Sequence, residues 1–171
     1  VAEGPRPELG RAEGTVVGEI ALRRAADVAA ELGTRTLRDL VAAAEAAPAP
    51  RPAALALAAP GLHVIAEVKR SSPSAGALAG PGEDIVARAR AYAAGGAAAI
   101  SVLCEPHRFG GSIGDLRAVR AAVRTPVLAK EFVVDERQLP LLRAAGADLV
   151  LLLAVLHAPR RLAAGRGGPR G

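Results

Sequence analysis

Lysine is nearly absent from this chain. Against 20 arginines there are two lysines, Lys69 and Lys130. Aromatic residues are almost as scarce, with two phenylalanines, one tyrosine and no tryptophan in 171 residues, and methionine is missing. A core of large rings is therefore excluded, and Ala, Val, Leu and Ile must fill the interior in close-packed layers. The net charge is +5, yet no aromatic side chains interleave with the arginines to stack on bases, which argues against nucleic acid. A positive field also suits a phosphorylated small-molecule substrate. Cys104 is the only cysteine. No internal disulfide can form, and a reducing, cytoplasmic setting fits. No stretch reaches about 18 apolar residues without a charge, so no membrane span is expected. No Gly-x-Gly-x-x-Gly follows the first predicted strand, which leaves a dinucleotide fold little support. His63, His107 and His157 have no ligand spacing with Cys104 or the acids, so no metal site is expected.

Residues 1–14 read as a disordered lead-in and 15–60 as a helical extension. Apolar positions recur at helical spacing from Val16 to Leu32 (Val16, Ile20, Val28, Leu32). A second helix is predicted from about Thr36 to Ala47, with Thr34 or Thr36 as its cap. Pro48, Pro50, Pro52 and Pro60 break helix around a short one at 53–59. A repeating rhythm then fills 61–164. Strands are predicted at His63–Lys69, Ala98–Leu103, Val127–Lys130 and Asp148–Ala154. Helices are predicted at Glu83–Ala94, from Ser112 to about Val123, and from Asp135 to about Ala145, with a last one near Pro159. Ser112 and Asp115 have the spacing of a capping box. Four strand–helix units of similar length predict a parallel sheet. Their apolar strands suit a sheet covered on both faces. The unusual residues follow the strands, as at the active face of a (β/α) barrel. The tail 165–171 reads as disordered.

Both lysines close short apolar runs. Wherever a cation merely solvates the surface, this chain uses arginine. An ammonium differs from guanidinium because its pKa moves readily on burial. Glu67 and Lys69 are two apart on one strand, so they share a side. Alternate strands of a barrel supply one interior layer, so the first and third strands bring Glu67, Lys69 and Lys130 together. A carboxylate between two ammonium groups can hold one charged and position the other as a proton donor. The plainer alternative is a structural ion pair at a strand end. Ser71–Gly76 is a loop of hydroxyls and free amides that either binds an anion or simply turns the chain. Phe109 and Phe132 lie just beyond the second and third strands. There they wall an apolar planar group or anchor their loops. Cys104 reads as a packed thiol.

In order, Ile65-Ala66-Glu67-Val68-Lys69-Arg70, Ser72-Pro73-Ser74-Ala75-Gly76, Ala99–Leu103 with Glu105-Pro106, Phe109-Gly110-Gly111-Ser112, Asp115-Leu116, Pro126-Val127-Leu128 with Lys130 and Phe132, and Ala144–Asp148 resemble the indole-3-glycerol-phosphate synthase family. The resemblance is strong over residues 63–156 and looser over the helices before them. It implies a TIM (β/α)8 barrel, of which about the first four units are present, under an N-terminal helical extension. It implies decarboxylating ring closure and dehydration of 1-(2-carboxyphenylamino)-1-deoxyribulose 5-phosphate, a lyase step of tryptophan biosynthesis, with no cofactor. On the family pattern Lys130 is the general acid, and Lys69 contacts the anionic substrate and serves the dehydration. Glu67 orients both lysines and shares in proton transfer. Ser72 holds anionic groups, and Phe109, Phe132 and Leu151 pack around the aromatic ring. Glu131 stands where the family usually has Asp, and Ala75 where it often has lysine. The family's later carboxylate base, asparagine and phosphate cradle have no counterpart, which points to truncation or a change of reading frame. On that expectation the chain is a half barrel with little or no synthase activity, an inactive remnant or interaction module, prone to self-association through open edges. The isomerase of the same pathway is the competing barrel; the Glu67, Lys69 and Ser72-Pro73 set argues against it.

Overall fold

The computed structural model describes residues 10–72, 76–77 and 84–157. Three helices come first: α1 (Val16–Leu32), α2 (Leu37–Glu45) and α3 (Ala53–Ala58). The Thr15 hydroxyl caps α1 by accepting from the Gly18 amide. Thr36, not Thr34, caps α2, and Asp39 returns the bond in a reciprocal capping box. The reading of 1–14 as a disordered lead-in gives way at its end. Gly10–Ala12 form a 3-10 turn, and Ala12 is buried with Ala21 and Leu156. Val16, taken as part of the apolar stripe of α1, is 56% exposed; the stripe that packs is Ile20, Arg24, Val28 and Leu32.

The sheet holds β1 (Ile65–Val68), β4 (Ala99–Leu103), β5 (Val127–Lys130) and β6 (Leu149–Val150) in that order, each pair parallel. Between β1 and β4 lies a small antiparallel ribbon, β2 (Ser71–Ser72) and β3 (Gly76–Ala77), where the sequence suggests only a loop. Parallel neighbours need a crossover, and α4 (Ile85–Ala94), α5 (Ile113–Ala122) and α6 (Gln138–Ala144) provide it. β4 lies between neighbours, and all five of its residues are buried. Val68, Ile100, Val102, Val127 and Ala129 form the core with Ala89, Leu116, Val119 and Leu142. The extension docks separately, where Val28, Leu32 and Leu40 meet Leu141 of α6.

Several boundaries differ from expectation. α4 stops as predicted at Gly95-Gly96, where Gly96 adopts φ +85°. α6 begins at Gln138 rather than Asp135. The Gln138 side chain accepts from the Val134 and Asp135 amides at 2.7 and 3.0 Å and donates to the Phe132 carbonyl at 3.2 Å. That stitching holds 132–137 as a loop. Ser112 caps α5 by accepting from the Asp115 amide, but the Asp115 carboxylate pairs with Arg70 at 2.8 Å, so it is not free for the box. The fourth strand ends at Val150, and a 3-10 turn occupies Ala154–Leu156. The predicted helix near Pro159 and the tail fall outside the described residues.

Candidate active site

The parallel strands end together, and their register sets the site. Val68 pairs with Val102, and Leu103 with Lys130. Lys69 and Lys130 therefore sit level on either side of β4. Glu67, in register with Ser101, reaches between them. Lys69 Nζ donates to Glu67 Oε1 at 2.9 Å. Lys130 Nζ donates to the other oxygen, Oε2. The three side chains remain 25–40% exposed, so the group is open to a ligand. Burial pushes the Glu67 carboxyl up, but the hydrogen bonds from Lys130 and then Lys69 outweigh it and hold the carboxyl below its ordinary value.

The remaining predicted residues are distributed around these strand ends. Phe109 is half-buried in the loop after β4. Its amide donates to Glu105 Oε2 at 3.1 Å, and its carbonyl accepts from the Ser71 amide at 3.1 Å. Phe132, just beyond β5, is half-buried against the cluster of Ala12, Ala21 and Leu156, so the N-terminal segment covers part of it. Leu151 follows β6, is half-buried, and its amide donates to the Ala129 carbonyl at 3.0 Å. Ser72 pairs through its backbone with Gly76; its side chain lies outside the described set, as does Ala75.

Two buried acids stand behind the lysines. Glu105 is 1% exposed. Its carboxylate accepts from the amides of His107, Arg108 and Phe109 at 2.9, 2.6 and 3.1 Å, which folds the loop tightly over β4. The turn leaves no room at Gly111, where a Cβ would lie 2.1 Å from the Leu103 carbonyl oxygen. Glu131 is 2% exposed and meets Arg24 of α1. Burial lifts the Glu131 carboxyl, and Arg24 opposes that rise. Burial also pushes the Cys104 thiol up, with Glu131 adding to the rise, so the thiol is packed and unreactive. Sequence reasoning missed Arg24 and the role of Glu105. The signal for Arg24 is its place in the buried stripe between Ile20 and Val28.

A cavity of about 220 Å³ lies between α1 and the loop after β4, lined by Glu19, Ile20, Arg23, Glu105, His107 and Arg108. It does not include the lysines. Among the described residues, no three His, Cys, Asp or Glu side chains gather as a metal site. His107 instead bonds Asp27 at 2.8 Å. No helix among the described residues is long and apolar enough to cross a membrane.

The family model for indole-3-glycerol phosphate synthase matches residues 17–164. Relatives of that name resemble the chain closely. The protein of Mycolicibacterium gilvum is 53% identical over 146 residues, covering 85% of this chain and 53% of the relative. That of Mycobacterium leprae is 53% identical over 139 residues, covering 81% and 51%. That of a Nocardioides species is 53% identical over 127 residues, covering 74% and 48%. The chain spans about half the length of the curated relatives it matches. It belongs to the indole-3-glycerol phosphate synthase family, whose TIM-barrel fold accounts for the parallel four-stranded sheet and its crossover helices.

Proposed function

We propose that this chain supplies the lysine half of a synthase site. That site converts 1-(2-carboxyphenylamino)-1-deoxyribulose 5-phosphate to indole-3-glycerol phosphate, carbon dioxide and water. The observation that carries the reading is the sharing of Glu67 between two ammonium groups. The ring carbon bearing the carboxylate attacks the keto carbon, and negative charge gathers on the keto oxygen. Lys130 donates a proton there, which stabilises the developing charge. Loss of carbon dioxide restores the ring electrons. The new hydroxyl then leaves as water, with Lys69 as the acid, and the neighbouring methylene carbon gives up a proton to water, which forms the indole double bond. Glu67 keeps both lysines aimed until substrate arrives. Ser72 binds the anionic groups, and Phe109, Phe132 and Leu151 flank the ring. No cofactor enters these steps. Net charge +5 favours capture of the phosphorylated substrate. We assign the reaction to the cytoplasm, where a lone cysteine stays reduced.

The test is a chimera in which residues 17–164 replace the matching segment of the Mycobacterium leprae relative. The chimera should form indole-3-glycerol phosphate. Lys130→Arg keeps the charge but cannot release a proton at neutral pH, so turnover should fall about 10²- to 10⁴-fold. Undiminished turnover in Lys130→Arg would remove Lys130 from the acid role.

A further inference from the structure

A charged group that the proposed reaction does not use lies directly behind Lys130. Arg24 sits in the middle of α1 and is 2% exposed. Its Nε donates to Glu131 Oε2 at 3.1 Å, and its Nη2 lies 3.1 Å from the same residue's carboxylate. The other oxygen, Oε1, accepts the Phe132 amide at 2.8 Å. Arg24 also grips Glu31 of its own helix at 2.8 and 3.2 Å. In the peptide that joins Lys130 to Glu131, the Lys130 carbonyl accepts from the Cys104 amide at 3.0 Å. The backbone that follows the Lys130 side chain is thus pinned at two successive points, the Lys130 carbonyl and the Phe132 amide.

Packing alone does not call for this arrangement. Positions 20, 28 and 32 of the same stripe are Ile, Val and Leu, and an apolar side chain at 24 would avoid desolvating a guanidinium. A buried ion pair is seldom more stabilising than apolar residues of similar volume. What a fork-shaped donor adds is a fixed direction. We propose that Arg24 is a positioning residue: through the Glu131 carboxylate, α1 sets how the Lys130 ammonium meets Glu67. Its catalytic meaning rests on the reading of Lys130 as the acid; the coupling itself does not.

The scarcity of lysine makes the coupling measurable. Labelling the chain with 15N-lysine gives two side-chain Nζ signals, which Lys69→Arg and Lys130→Arg assign. In Arg24→Ala the Lys130 Nζ signal should move toward that of a free lysine, and its protons should exchange faster. Lys69, held on the opposite oxygen, should move less. Arg24→Lys adds a third Nζ signal, keeps the charge and loses the fork, so the Lys130 signal should fall between. Should Arg24→Ala fail to fold, Glu131→Gln keeps an acceptor for the Phe132 amide, removes the charge, and should move the same signal. A fall in thermal midpoint with the Lys130 signal unmoved in Arg24→Lys and Glu131→Gln would reduce Arg24 to a packing residue. The two proposals fail separately. A moved signal alongside undiminished turnover in Lys130→Arg keeps the coupling and removes the acid role; the reverse pattern does the opposite.

Discussion

Glu67 carries one ammonium on each carboxylate oxygen. Its charged form is favoured over the neutral one by both partners, while burial works the other way. With the carboxyl held below its ordinary value of 4.5, the sign of the pH effect follows. The unfolded chain takes up the proton first, so the stabilisation is complete above that value and is lost as pH falls through the lower folded value. Partial exposure of all three groups keeps the effect modest. Glu67→Gln should therefore flatten that part of the acid limb. Urea midpoints followed from about pH 6 to about pH 3 show it, and an unchanged acid limb would contradict the pairing. The two lysines were legible because every other cation is arginine, and their i, i+2 spacing with Glu67 fixed a shared side. Arg24 and Glu105 were not. An arginine among twenty carries no mark of burial except its place in a helical stripe. Glu105 acts only on backbone amides, which no residue pattern displays.

Helices were legible where a cap and a period agree. α1 runs over Val16–Leu32 as its spacing requires, and Ser112 starts α5. Boundaries moved where a side chain found a better partner. Gln138 draws the loop after β5 together and delays α6. The β2–β3 ribbon left no signal because its strands are two residues each. Docking of the extension includes Leu40 of α2, which is fully buried against Leu141 of α6. Leu40→Ala should lower the unfolding free energy by about 2–5 kcal/mol, read from urea denaturation followed by circular dichroism. A loss below about 0.5 kcal/mol would mean that α2 is not held there.

Across the molecule, the two ends of the sheet have different tasks. At the starts of the strands, Asp148 accepts from the Arg51 and Val127 amides at 2.7 and 2.8 Å. Arg51 in turn donates to the Thr125 carbonyl at 2.7 Å. These bonds tie the proline-rich linker beneath the sheet. At the strand ends, the lysines, Glu67 and the aromatic loops gather, and α1 reaches them through Arg24. Parallel order was legible from four apolar strands separated by helices. β1 and β5 both flank β4, and that flanking puts Lys69 and Lys130 on one carboxylate. The shared carboxylate is the central claim, and Glu67→Gln in the 15N-lysine-labelled chain tests it most directly. Both Nζ signals should move together, because one acceptor serves both. If one signal moves while the other stays, or neither moves, the two lysines do not meet on Glu67.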